Sequence, residues 1–195
     1  MQKYHAHNKT AGFSLVETLM AISILSLSVV ATFTAVQTGI QNSTLARDQT
    51  TAFYLAQEAI EYIKNMRDQN ALYSIKNPDA PRDWLYGLYA DAVNDPCALG
   101  KVCKLDSYNN VVTSCGNASI TTAPPGLCPN LNQNSTTGLF GYLATAGWNS
   151  TSFKREIQMQ MLPSGVEVKV VVSVGWTSKS GPKYFQASEI LFNHQ

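Results

Sequence analysis

Thr10-Ala11-Gly12-Phe13-Ser14-Leu15-Val16-Glu17-Thr18-Leu19 decides how this chain is read. Ahead of it lies a short polar stretch with Lys3 and Lys9 and no acidic residue. Behind it runs an apolar segment, Phe13 to Val36, whose one charge is Glu17. As a helix of 24 residues at a rise of 1.5 Å, that segment is about 36 Å long, enough for a hydrocarbon core of about 30 Å. Positive charge on its N-terminal flank puts that flank in the cytoplasm and the rest of the chain outside.

An ordinary secretory signal is cut on the far side of its apolar run, after small residues. The length of this run, its direct continuation into a further helical pattern, and the acid at position 17 fit that layout poorly. A carboxylate inside a bilayer costs about 2.5–3.5 kcal/mol on insertion scales, which makes Glu17 a functional-site candidate. Its natural partner is a cation at the same depth. No Lys or Arg lies between Lys9 and Arg47. Cleavage after Gly12 would create one, the α-amine of Phe13, four residues from Glu17 on the same helix face. Pairing within one chain or with a neighbour would link cleavage to assembly.

Working toward the C-terminus, Gln37 to about Asn70 contains no Pro. Leu45, Ala52, Leu55, Ala56, Ala59, Ile63 and Met66 recur at steps of three and four, which predicts one helical stripe. Glu61–Lys64 and Lys64–Asp68 are spaced to pair along its surface. One helix from Phe13 to near Asn70 would be about 87 Å long, more than a compact domain of this size encloses. Residues 71–152 are rich in turn formers, among them Asn77-Pro78-Asp79, Asp95-Pro96 and Pro124-Pro125-Gly126. They predict an irregular excursion, with a short helix or strand at Trp84 to Tyr89. From Phe153 onward, apolar and polar residues alternate in three runs separated by turns, which predicts an antiparallel meander covered by the 45–66 stripe. The fold class is α+β.

Composition excludes several functions. Basic residues do not cluster, so no nucleic-acid footprint is present. Without Lys3 and Lys9 the 14 basic residues fall to 12, against 13 acidic ones. His5, His7 and His194 are the only histidines, and none lies where it could serve a Ser or Cys nucleophile within the folded part. No catalytic set, metal site or cofactor is expected. Cys97, Cys103, Cys115 and Cys128 fall within 32 residues. An even count in an exported domain points to disulfides, with three pairings open. Their spacings lack the close Cys pairs of zinc ribbons. Asp91 and Asp95 could join a loop calcium site, though the spacing fits a solvated loop better.

Gly12-Phe13-Ser14-Leu15-Val16-Glu17-Thr18-Leu19 resembles the cleavage and methylation signal of type IV prepilins and of type II secretion pseudoprepilins. The resemblance implies a pilin fold: a long N-terminal helix packed on an antiparallel sheet of about three or four strands, with an irregular Cys-containing loop region. It implies a leader of residues 1–12, a transmembrane half at 13–36, an amphipathic half at 37–70 and a globular head at 71–195. Gly12 would be the last leader residue, Phe13 the methylated N-terminus and Glu17 the assembly residue. The implied partners are a prepilin peptidase, other pilin or pseudopilin subunits, an inner-membrane assembly platform and, before assembly, membrane lipid. The implied location is the inner membrane, then a pilus or pseudopilus. Ala52 to Glu61 and Val174-Gly175-Trp176 are similar to minor pilins of the pilus modification type and to I-type minor pseudopilins. Residues 13–77 hold no Pro, unlike many major pilins, which favours a minor subunit that primes or caps a fibre. Two other readings are open: a pseudopilin of a secretion or DNA-uptake system, and an uncleaved single-pass anchor carrying a binding module.

Overall fold

A computed structural model describes residues 12–91, 93–117 and 126–193. Residues 1–11 of the expected leader, with Lys3, Lys9, His5 and His7, lie outside the described residues, as do Pro124, Pro125 and His194. The chain divides into two compact units, Met1–Leu45 and Ala46–Gln195.

Helix α1 spans Leu15–Lys76. Ser14 caps its start: the Glu17 N–H donates to Ser14 Oγ at 3.3 Å, and Thr18 N–H to the Ser14 carbonyl at 3.2 Å. At the other end Pro78 cannot continue a helix and pushes Asn77 out of it. The Asn77 backbone N–H and side-chain amide both donate to the Tyr73 carbonyl at 2.9 Å, closing the last turn. Within the first unit, every described residue before Leu45 is exposed.

The second unit is the head. Seven strands follow: β1 Lys101–Asp106, β2 Val111–Asn117, β3 Asn130–Asn134, β4 Phe140–Gly141, β5 Trp148–Met161, β6 Glu167–Ser178 and β7 Gly181–Phe192. All pair antiparallel in one sheet. The three C-terminal strands are the expected meander, in full register from Lys154–Gly175 through Ser178–Gly181. A two-residue turn, Lys179-Ser180, joins β6 to β7, and Gly181 supplies the positive φ of 105° at its exit. The strand count exceeds the expected three or four. β1 to β4 and the start of β5 fall inside 71–152, which reads as irregular because the strands are short, polar and separated by Asn, Gly and Ser. Trp84 to Tyr89 forms consecutive turns, not a helix or strand. Gly87 there holds φ of 79°, which breaks a helix. Trp84, Leu85 and Leu88 are nonetheless buried, and Asn70 ties them to α1 by donating to the Trp84 and Tyr86 carbonyls at 3.2 and 3.1 Å.

The core forms where α1 covers one face of the sheet. Ala52, Leu55, Ala56, Ala59, Ile60 and Ile63 are buried on the helix. They meet the face of Ile157, Met159, Val168, Val170, Val172, Val174 and Leu191. The register places these on one side, with Ile157 opposite Val172 and Val172 opposite Ala187. Most of the predicted stripe is buried, while Leu45 and Met66 at its ends are only half-buried. Of the surface pairs, Glu61–Lys64 forms at 3.3 Å. Lys64–Asp68 does not: Lys64 turns instead to Glu189 on β7 at 2.8 Å, and Asp68 pairs with Arg67 at 2.8 Å. The opposite face of the sheet is not simply solvated either. Glu156, Gln158 and Ser173 are buried there. Glu156 accepts hydrogen bonds from the Leu127 and Cys128 N–H groups, so the segment before β3 lies over that face.

Candidate assembly site

Gly12, Phe13 and Ser14 precede the helix in non-helical conformation, and Leu15 opens it. Phe13 is 81% exposed, and the large apolar residues from Leu15 to Val36 are likewise open. Glu17 lies in the first helical turn. With Ser14 it makes the Ser-x-x-Glu spacing of a capping box. The unsatisfied N–H groups of that turn carry partial positive charge, so the helix itself favours the carboxylate at this position. Sequence alone offers Glu17 only a formal cation as its partner. The helix start is an additional electrostatic reason for an acid there, and Ser14 is the signal that could have revealed it.

The apolar segment also carries hydroxyl groups. Ser23, Ser26 and Ser28 donate to the carbonyls of Leu19, Ile22 and Ile24 at 2.7 to 2.8 Å. Thr32 and Thr34 donate to Val29 and Val30 at 2.8 and 3.0 Å. Each hydroxyl is thereby satisfied within its own helix, which removes the penalty of an unpaired donor in an apolar surrounding. What remains on the outside is a small, nearly apolar surface that another helix can approach closely. By length and composition α1 can cross a membrane.

The four cysteines make two disulfides, Cys97–Cys103 and Cys115–Cys128, with Cα separations of 5.1 and 5.2 Å. Of the three pairings left open, the chain uses the sequential one. Cys103 and Cys115 sit on the β1–β2 hairpin, and each is tied to the segment leading into or out of it. Among the described residues, no group of three or more His, Cys, Asp or Glu is gathered to hold a metal ion. At the loop considered for calcium, Asp91 accepts from the Asn94 amide at 2.6 Å and from the Val93 N–H at 2.8 Å. These bonds, the Asn94 side chain foremost, hold its carboxyl below the usual range. Lys101 Nζ donates to the Val93 and Asp95 carbonyls at 2.7 and 3.0 Å, so an ammonium already occupies these two acceptors.

Sequence reasoning missed one central residue. Arg155 sits in the apolar phase of β5, between Phe153 and Ile157, and is wholly buried. Its guanidinium donates to the Leu55 carbonyl at 3.0 Å, to the Leu105 carbonyl at 2.7 Å and to the Glu58 carboxylate. It thus fastens α1, β1 and β5 together. A charged residue standing at an apolar position in the alternation was the signal.

Residues 7–33 match the prokaryotic N-terminal methylation motif. No curated protein and no solved structure matches the chain. Carried on an apolar helix long enough to cross a membrane and followed by a disulfide-bonded antiparallel head, that motif is consistent with a type IV pilin-like protein.

Proposed function

We propose that this chain is a minor structural subunit of a type IV pilus-like filament. A prepilin peptidase cuts between Gly12 and Phe13, and the new N-terminus of Phe13 is methylated. Until assembly, α1 anchors the chain in the inner membrane with the head outside the cytoplasm. Assembly then proceeds through α1, with the Glu17 carboxylate paired to the Phe13 α-amine of a neighbouring subunit. The observation that carries this reading is the methylation motif placed at the capped start of an exposed apolar helix. It indicates a structural subunit rather than an enzyme. The absence of Pro from residues 13–77 supports the minor role, in which the subunit primes or caps a fibre.

Mass spectrometry of the mature N-terminus tests it. The expected result is a chain beginning at methylated Phe13. A chain still carrying Gly12 in cells with an active prepilin peptidase would overturn the reading in favour of an uncleaved membrane anchor. Recovery of the chain from sheared surface fibres supports the pilus assignment. Recovery only from the cell envelope, with secretion or DNA uptake lost on deletion, assigns it to a pseudopilus.

A further inference from the structure

Strand β7 runs for 12 residues, Gly181–Phe192, and among the described residues it pairs with β6 alone. The hairpin fixes where its backbone groups point. Ser178 and Gly181 flank the two-residue turn as a hydrogen-bonded pair, so Lys183, Phe185, Ala187, Glu189 and Leu191 turn their N–H and C=O groups toward β6. Asn193 keeps that phase, its N–H donating to the Val166 carbonyl at 2.8 Å. The alternate residues, Tyr184, Gln186, Ser188 and Ile190 among them, turn theirs outward. Pro182 belongs to this outward set, where a missing N–H costs the β6 ladder nothing.

Edge strands are normally blunted by shortness, bulges, prolines or charges. β7 is long, and its register with β6 shows no shift. Pro182 and Lys183 guard only its start. From Tyr184 to Phe192 the one charge is Glu189, which Lys64 engages from α1 at 2.8 Å. Beside the edge, on the α1 face, lies an apolar shelf. Phe185 meets Phe53 edge-on with ring centroids 5.8 Å apart, and Phe53 meets Tyr54 at 5.6 Å. Both helix aromatics stay open to solvent, at 47% and 63% exposure. With Thr50 and Phe185 they line a hollow of about 380 Å³. Lys183 and Glu189 share the face of Phe185 and bracket it along the strand. Among the described residues Lys183 forms no ion pair, and the Glu189 side chain is still 37% exposed.

A helix or an acyl chain could fill the hollow but could not bond the outward row of N–H and C=O groups. An extended strand does both. A second copy of β7 fits poorly. α1 runs in the same direction as β7, with Phe53 beside Phe185 and Lys64 beside Glu189. Antiparallel pairing of two β7 strands would therefore reverse one α1 against the other, which two chains inserted in one membrane in the same sense cannot adopt. We propose that the β7 edge binds an extended segment of a partner protein by antiparallel strand addition. Phe185 then falls in a non-hydrogen-bonded pair, where side chains come closest, and the partner residue opposite it is apolar and enters the hollow. An acid lies opposite Lys183 and a base opposite Glu189, so the segment reads base, any, apolar, any, apolar, any, acid from N to C. This site lies wholly in the head and does not depend on how the N-terminal helix is processed or assembled.

The test uses the full chain in detergent and a capped synthetic peptide, Lys-Thr-Val-Thr-Phe-Thr-Glu, carrying a fluorophore for anisotropy. The peptide should bind, and amide exchange should slow at Gln186 and Ser188. A peptide with its Lys and Glu exchanged should bind about tenfold more weakly, and so should one methylated at its three threonine nitrogens, which loses the donors but keeps the side chains. Ser188→Pro should weaken binding as much without lowering the thermal transition, because that N–H is not used by β6. Phe53→Ala should weaken it by emptying one wall of the hollow. No binding of the parent peptide would overturn the proposal, as would equal binding of the exchanged or methylated peptide. Sedimentation of the peptide-free chain supplies one more check: a dimer that Ser188→Pro dissolves would assign the edge to a second copy and overturn the proposal.

Discussion

The guanidinium of Arg155 on β5 and the carboxylate of Glu58 on α1 form an ion pair at the centre of the head, with the arginine fully buried and Glu58 partly open to solvent. Arg155 also takes the carbonyls of Leu55 and Leu105, so one side chain fixes the helix in register with the sheet. A carbonyl in mid-helix already accepts a bond from its own helix, and its second lone pair receives the arginine. The pair therefore fixes where along β5 the helix can sit. Burial of Leu55, Ile60 and Ile63 alone would tolerate some sliding.

The two halves of that pair should respond differently to truncation. Removing a partner from a buried ion pair costs about 3–5 kcal/mol, because the other charge stays buried. Arg155→Ala should cost an amount of that order, since it leaves a cavity and two carbonyls short of a donor. Glu58→Gln should cost less, roughly 1–3 kcal/mol, because Glu58 is partly exposed and Gln still offers an oxygen to the guanidinium. Urea unfolding of the full chain in detergent measures both. Equal losses would show that the charge on Glu58, not the bridging of carbonyls, dominates.

Reduction should loosen the chain between the turn segment and β3 before it unfolds the helix-covered core. In the chain-entropy treatment, the Cys115–Cys128 loop is worth about 3 kcal/mol and the shorter Cys97–Cys103 loop about 2 kcal/mol. Cys115→Ser with Cys128→Ser should lower stability accordingly. Hydrogen exchange should rise first at Leu127 and Cys128, whose N–H groups rest on Glu156. Unchanged protection at those two amides would show that the Glu156 contacts hold the segment without the disulfide.

Burial pushes the Tyr142 hydroxyl up to about 12 from an ordinary value of 10.0, an effect that the nearby Arg155 only partly opposes. The folded state therefore holds the proton more tightly than the unfolded chain. The stability tied to this group is fully present below pH 10 and is lost as pH rises toward 12. A tenfold difference in proton affinity is worth about 1.36 kcal/mol, so the alkaline loss is at most roughly 2–3 kcal/mol. Tyr142 Oη has no partner among the described residues, so Tyr142→Phe should be nearly neutral at pH 7 and should flatten this part of the alkaline unfolding curve. An unaltered alkaline midpoint in Tyr142→Phe would assign the loss to other groups.

The parts read correctly from sequence are those where one periodicity persists. The apolar run behind Phe13 and the Val168-Val170-Val172-Val174 alternation each repeat often enough to survive local noise. β1 to β4 escaped notice because short strands such as Asn130–Asn134 are polar and take their order from neighbours. Leu131 is buried against the core while Asn132 bonds sideways to the Leu143 carbonyl. Arg155 and Glu156 were hidden for the opposite reason. Glu156 looks like an ordinary strand charge and Arg155 stands out only by its phase in the alternation, and only the three-dimensional arrangement supplies Glu58 to Arg155 and the Leu127 and Cys128 amides to Glu156. Cysteine pairing likewise depended on the β1–β2 hairpin, which places Cys103 beside Ser114 in register and Cys115 next along the strand.

Glu17 offers the sharpest separation of processing from assembly. In the proposed function the peptidase acts at the Gly12–Phe13 bond, whereas Glu17 lies one helical turn further on, inside α1. Glu17→Gln keeps the shape and a side-chain oxygen but removes the charge. Glu17→Val removes both. Cleavage and methylation should proceed in each, because the bond and its flanks are unchanged. Incorporation into the filament should fall strongly in both, since the Phe13 amine of a neighbour would then be buried without a carboxylate, and an unpaired buried charge is costly. Glu17→Asp should recover part of the loss, with the charge retained but set back by one methylene. Comparing mature protein in membranes with protein in sheared or isolated filaments reads the two steps separately. Normal incorporation of Glu17→Gln would remove the charge pair from the assembly step and leave the apolar helix surface as its main determinant.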